Sequence, residues 1–123
     1  MQIIDWHTAL TTATTDAKAG IAPVRLTGDT AFATHLARLE AGQTVTAHYH
    51  RHGAEHYHIL SGQGRIAIRA LDQFQFKELP VRAGHSFLIP ANTWHSLTNC
   101  ANEPLLLMFS CPASHLDSDR YTG

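Results

Sequence analysis

Turn residues interrupt this chain at short, regular intervals. Between residues 31 and 111, Gly, Pro, Asn or Asp recurs about every eight to twelve positions. That spacing suits an all-β sandwich or barrel of short strands, and no long amphipathic helical pattern competes with it. The expected strands are 32–39, 44–50, 55–60, 65–70, 74–81, 85–89, 94–99 and 105–110. Ser61-Gly62-Gln63-Gly64 predicts a tight hairpin. Pro80 marks a strand end or an edge position, because it has no N–H for a ladder. Residues 1–30 are expected to form an N-terminal arm. Its Ala/Thr-rich part, 7–20, is either a short helix capped by Asp5 or a Thr, or a loose segment. Residues 112–123 are expected to be a polar, peripheral tail.

A chain of 123 residues, 44% hydrophobic, is one domain and can bury roughly two-thirds of its unfolded surface without disulfides. Its net charge of −1 offers no basic footprint for nucleic acid or an anionic membrane. The longest apolar run, 105–109, falls far short of the roughly 20 residues a bilayer needs. The opening MQIIDW has no positive signal-like region. Cys100 and Cys111 have no CxxC spacing and are expected to be buried free thiols in a reducing compartment. A cytoplasmic protein is the expectation.

Residues 48–58 read HYHRHGAEHYH, five histidines and a glutamate in eleven positions. Side chains on a strand alternate faces. His48 and His50 therefore share one face. Glu55, Tyr57 and Ile59 share another, with His56, His58 and Leu60 opposite them. His52 has the parity of His48 but falls in the loop. If Glu55 points with His48 and His50, then His56 and His58 point away. With His52, they are expected to be structural or at the surface. His95, just after the turn Pro90-Ala91-Asn92, is the best further partner.

Three imidazoles and one carboxylate make a mixed nitrogen and oxygen site. Such a set suits one divalent ion of iron, manganese, nickel, zinc, cobalt or copper. On an octahedral ion it leaves two positions for water or substrate, as catalytic sites do. The alternative is a polar pocket that holds no metal. Imidazoles must be neutral to ligate, so acid is expected to empty the site as pH falls through about 6 to 5. Tyr57 either lines the pocket as an acid/base or hydrogen-bond donor, or packs in the core with its hydroxyl bonded. Arg65 and Arg69 face either the pocket or solvent.

The stretch GQTVTAHYHRHGAEHYHILSG carries Gly42, His48, His50, Glu55 and Gly62 at the spacing Gly-x5-His-x-His-x4-Glu-x6-Gly. GHSFLIPANTWHSLTN carries Gly84, Pro90, His95 and Asn99, with Asn92 where a Gly is usual. These two motifs, in this order, resemble those of the cupin superfamily. Asn tolerates the positive φ that the Gly would supply. The resemblance implies an all-β cupin double-stranded β-helix, a jelly-roll-like conserved barrel over 31–111. It implies His48, His50, Glu55 and His95 as metal ligands, and a homodimer with 1–30 as a contact arm. It also implies a small oxygenated ligand chelated at the metal. Two reaction classes follow: a dioxygenase, or a Lewis-acid isomerase, lyase or decarboxylase. The alternative is a non-catalytic small-molecule or sugar-binding cupin that acts as a sensor or accessory subunit.

Overall fold

Alternation of buried and exposed side chains builds the first wall of the molecule. The computed structural model describes residues 1–122, and the counts below refer to these. Strand β2 (Ala33–Leu39) turns Ala33, His35, Ala37 and Leu39 inward. Strand β9 (Leu105–Cys111) does the same with Leu105, Leu107, Phe109 and Cys111, and β4 (Glu55–Ser61) with Glu55, Tyr57 and Ile59. The register stacks these faces: Ala37 pairs with Leu107 and Leu39 with Leu105, while Tyr57 pairs with Phe109 and Ile59 with Leu107. Strands β1 (Val24–Gly28) and β7 (Ser86–Ile89) complete a sheet in the order β1-β2-β9-β4-β7.

The opposing sheet is β10-β3-β8-β5-β6, from Tyr121–Thr122 (β10), His48–Tyr49 (β3), Thr93–Thr98 (β8), Gln63–Ala70 (β5) and Lys77–Arg82 (β6). Every pairing is antiparallel. Leu97 and Ile66 pair within this sheet and meet Ile59, Leu105, Leu107 and Val45 in one buried cluster. The fold is the all-β barrel that the strand spacing implies. No helix among the described residues is long and apolar enough to cross a membrane.

Two turns depend on backbone conformations that few residues adopt. Gly62, in the β4–β5 hairpin, has φ +84°, and a Cβ there would lie 2.5 Å from the Pro104 carbonyl oxygen. Gly62→Ala combines left-handed strain with overpacking against backbone, so a stability loss of about 2–4 kcal/mol is expected in urea unfolding. A loss below about 0.5 kcal/mol contradicts this account of the turn. Asn92 takes φ 59°, the left-handed conformation expected at the position where Gly is usual. Its N–H donates to the His50 carbonyl at 2.7 Å, which ties that turn to the histidine loop.

Several segments differ from expectation. Of 44–50, only His48 and Tyr49 form a strand, with a lone bridge from Thr44 to Thr98. Strand β6 begins at Lys77 because Phe74 and Phe76 lie exposed in the preceding turn. Within the arm, Trp6–Thr11 (α1) is helical, and the Asp5 carboxylate accepts the Thr8 N–H at 3.0 Å as its N-cap. The arm also contributes β1, an edge strand whose alternation is too weak to read. Cys111 is buried as expected, but Cys100 is exposed, in the turn between β8 and β9. The segment after Pro112 is not peripheral. His115 and Asp119 are buried, and β10 pairs with β3. Its polar residues satisfy buried groups, so composition alone made it look solvated. Gly123 lies outside the described residues.

Candidate metal centre

Three strands bring the four predicted side chains together. His48 in β3 stands directly opposite His95 in β8, with ring centroids 4.2 Å apart. Glu55 opens β4 on the facing sheet, and His50 follows β3 at the start of the loop. One ligating atom from each of His48, His50, Glu55 and His95 lies within 4.8 Å of the other three. All four residues are at least 94% buried.

Each imidazole is oriented by a backbone carbonyl. Nδ1 of His48 donates to Thr46 at 2.6 Å, that of His50 to Asp119 at 2.6 Å, and that of His95 to Thr93 at 2.9 Å. In the neutral ring this leaves Nε2 as a bare lone pair. His95 Nε2 stands 3.2 Å from Glu55 Oε1, and His50 Nε2 stands 3.4 Å from Glu55 Oε2. Both nitrogens are buried without a hydrogen-bond partner. Acceptors that converge in a dry interior are costly unless a cation sits among them. The donor set of three nitrogens and a carboxylate fits a divalent transition metal.

The protonation states agree with this geometry. Burial, and then the neighbouring His95, push His48 down to about 3, so it stays a neutral donor. Burial alone would raise Glu55, but the hydrogen bond from His115, and then the adjoining His50 and His95 rings, hold it well below the usual carboxylate range. An unfolded His48 takes up its proton near 6.5, whereas the folded ring resists protonation down to about 3. The unfolded state therefore binds more protons in that window, and stability falls as pH falls. Glu55 acts in the same direction below 4.5. Urea unfolding of metal-free protein is thus expected to show falling stability from about pH 6.5 towards 3. A flat profile there contradicts a buried, neutral His48.

Tyr57 is buried beside Glu55, and its ring centroid is 6.1 Å from that of His95. Burial, and then the Glu55 charge, push its phenol well above 10. Near neutral pH it is a hydrogen-bond donor, not a base. His56 is exposed and His58 half-buried, with Nδ1 of His58 2.8 Å from Ser86 Oγ. The His52 side chain is exposed as well. None of the three joins the cluster. Arg65 pairs loosely with Glu78 at 3.8 Å, and Arg69 lies over the Phe76 and Trp94 rings, so neither reaches the centre.

Sequence reasoning missed His115. It is fully buried on the 3-10 turn Ala113–Leu116, with Nδ1 3.0 Å from Glu55 Oε2 and Nε2 2.5 Å from the His52 carbonyl. Both nitrogens face acceptors, so both carry protons in this geometry. Burial opposes that charge, yet hydrogen bonds to Glu55 and the His52 carbonyl hold its pKa above the ordinary histidine value. No spacing rule links His115 to a carboxylate 60 residues earlier.

Two cavities flank the cluster. A small one of about 20 Å³, large enough for one water, is lined by His48, Glu55, Tyr57, Phe109 and His115 and by Ile21 of the arm. A wider cleft of about 400 Å³ opens where the sheet edges β6 and β7 part. Ile66, Ile68, Leu79, Val81, Phe87 and Ile89 line it. Ile68 pairs with His95 and Ile89 with Glu55, so the inner end of the cleft adjoins the cluster.

Comparison with solved structures places the same architecture in larger proteins. The chain is similar to CapF, a capsular polysaccharide assembling protein from Staphylococcus aureus, with TM-score 0.75 and 16% identity over 89% of this chain and 33% of that one. It is also similar to the Bacillus subtilis oxalate decarboxylase studied for its Mn(II) centres, with TM-score 0.71 and 20% identity over 87% of this chain and 29% of that one. The chain thus spans about a third of the length of these structures. No curated protein sequence matches it. The family profile of the cupin domain matches residues 35–111, well over half the chain and inclusive of all four clustered residues. The chain belongs to the cupin domain family.

Proposed function

We propose that this cupin binds one divalent transition-metal ion through His48, His50, Glu55 and His95 and uses it to chelate a small oxygenated substrate. The observation that carries this reading is the pair of buried, partnerless nitrogens, His50 Nε2 and His95 Nε2, that face the Glu55 carboxylate. When bound, the ion supplies Lewis-acid polarisation of a substrate oxygen or, if it is iron, a site for dioxygen chemistry. The chain's own part is to orient the ligands, exclude water and hold protons. The carbonyls of Thr46, Thr93 and Asp119 fix the imidazole planes. Tyr57 keeps its hydroxyl proton beside Glu55. The apolar β6–β7 cleft supports entry of a compact molecule that presents oxygen atoms at its inner end.

The test is a panel of iron(II), manganese(II), nickel(II), zinc(II), cobalt(II) and copper(II). Each metal-loaded protein is assayed against small hydroxy acids, diols and enolisable ketones for turnover and oxygen uptake. Manganese merits early trial because the oxalate decarboxylase structure is described by its Mn(II) centres. Chelator-sensitive turnover supports an enzyme, and oxygen uptake with iron alone assigns the dioxygenase class.

A non-catalytic sensor or accessory subunit is the second reading. It is favoured by Tyr57, whose proton does not exchange roles near neutral pH. In that case every metal form raises the melting temperature with ligand and turns nothing over.

The homodimer is likewise our proposal, supported by Ile3, Trp6 and Phe32, which lie exposed in or next to the arm. Light scattering after size exclusion is expected to give twice the chain mass, and a monomer removes the idea. The free thiols of Cys100 and Cys111 support a reducing, cytoplasmic setting.

A further inference from the structure

The four clustered residues are not oriented in the same way. His48 and His95 are held by carbonyls two residues away, Thr46 and Thr93, in or beside their own strands. His50 and Glu55 are held from the far end of the chain. The Asp119 carbonyl accepts the His50 Nδ1–H, and the His115 ring donates to Glu55 Oε2. The His115 ring also stacks on His50, with centroids 3.9 Å apart and planes within 5°. The sheets thus set half of the cluster, and the C-terminal segment sets the other half.

That segment is itself fastened at several points. The Asp119 carboxylate accepts the N–H groups of Arg51 and His52 at 2.8 and 2.9 Å, which braces the loop between His50 and Glu55. The His52 carbonyl accepts from His115 Nε2 and so fixes the ring that holds Glu55. Tyr121 pairs with Tyr49 and stacks on it, and the Arg120 guanidinium grips Asp16 in the N-terminal arm.

We propose that residues 113–122 are the outer shell of the metal centre, and that His115 is the positioning residue that fixes the Glu55 carboxylate for the ion. The inference rests on the metal-centre reading above. With Oε2 committed to His115, Oε1 is the oxygen left free, 3.2 Å from His95 Nε2. Outer-shell partners of this kind are worth about 10- to 100-fold in metal affinity. Linkage makes the effect reciprocal: what the docked segment adds to ion binding, the ion adds to docking of the segment. Glu55, Cys111 and His115 also place ligating atoms within 4.8 Å of one another. A second ion there would need a His115 nitrogen as a ligand, whereas Nδ1 already donates to Glu55 and Nε2 to the His52 carbonyl.

The experiment is a cobalt(II) titration of the full chain, followed by visible absorption and chelator competition, on wild type, His115→Ala and His115→Asn. Wild type is expected to bind about one cobalt per chain. His115→Ala should bind the same number about 10- to 100-fold more weakly, with an altered absorption band. His115→Asn places an amide N–H where Nδ1 stood and should recover most of the affinity and the wild-type band. In wild type alone, cobalt should slow hydrogen exchange at the amides of residues 113–122.

A His115→Ala protein with wild-type affinity and band overturns the inference. So does equal loss in the Ala and Asn variants, which marks a merely structural residue. Loss of one of two bound cobalt ions overturns it as well, since His115 would then be a ligand. If His115→Ala fails to fold, unchanged exchange of residues 113–122 in cobalt-loaded wild type overturns it. Wild type that takes up no cobalt overturns the metal-centre reading itself, and this inference with it.

Discussion

His95→Ala is expected to weaken divalent-metal binding by more than the 10- to 100-fold that loss of an outer-shell partner costs. His95 stands opposite His48 and supplies a nitrogen with no other partner, 3.2 Å from Glu55 Oε1. His52, His56 and His58 lie outside the cluster, and His115 is committed to Glu55 and the His52 carbonyl, so none of these four takes its place. The loss should also appear as stability. Metal at 1,000 times its dissociation constant stabilises the native state by about 4 kcal/mol. A variant that binds 100-fold more weakly keeps about 1.4 kcal/mol of that at the same metal concentration. Thermal melts with and without metal, on wild type and variant, measure the difference. An equal metal-induced shift in both proteins contradicts a ligand role for His95.

Glu55→Leu is expected to destabilise even the metal-free protein, by about 3–5 kcal/mol, because it strands a buried partner. Glu55 is buried and takes the His115 hydrogen bond at 3.0 Å, and both His115 nitrogens point at acceptors. With the carboxylate gone, the ring must give up a proton or keep an uncompensated charge. The double variant Glu55→Leu with His115→Leu removes both partners and should regain a large part of the loss. Urea unfolding of the two single variants and the double variant closes the cycle. Additive losses contradict a coupled pair.

The parts of this account that sequence made legible share one physical basis. Side chains on a strand alternate faces, so position puts Glu55, Tyr57 and Ile59 on one face and His56 on the other, while which face is inward depends on Glu55 pointing with His48 and His50. Asn92 was readable because few residues tolerate its φ. What stayed hidden depends on tertiary context. His115 and Asp119 sit in a polar stretch with no periodicity, and their partners lie some 60 to 70 residues earlier. Strands β1 and β10 lie at sheet edges, where one side of the ladder is unpaired and the burial pattern is weak. Cys100 was misjudged because the burial tendency of cysteine does not hold in a surface turn.

Elemental analysis of wild type and His50→Ala, both purified without a histidine tag, tests the central claim most directly. The account predicts about one transition-metal ion per chain in wild type and essentially none in the variant. Wild type free of metal, or a variant that retains it in full, contradicts the account.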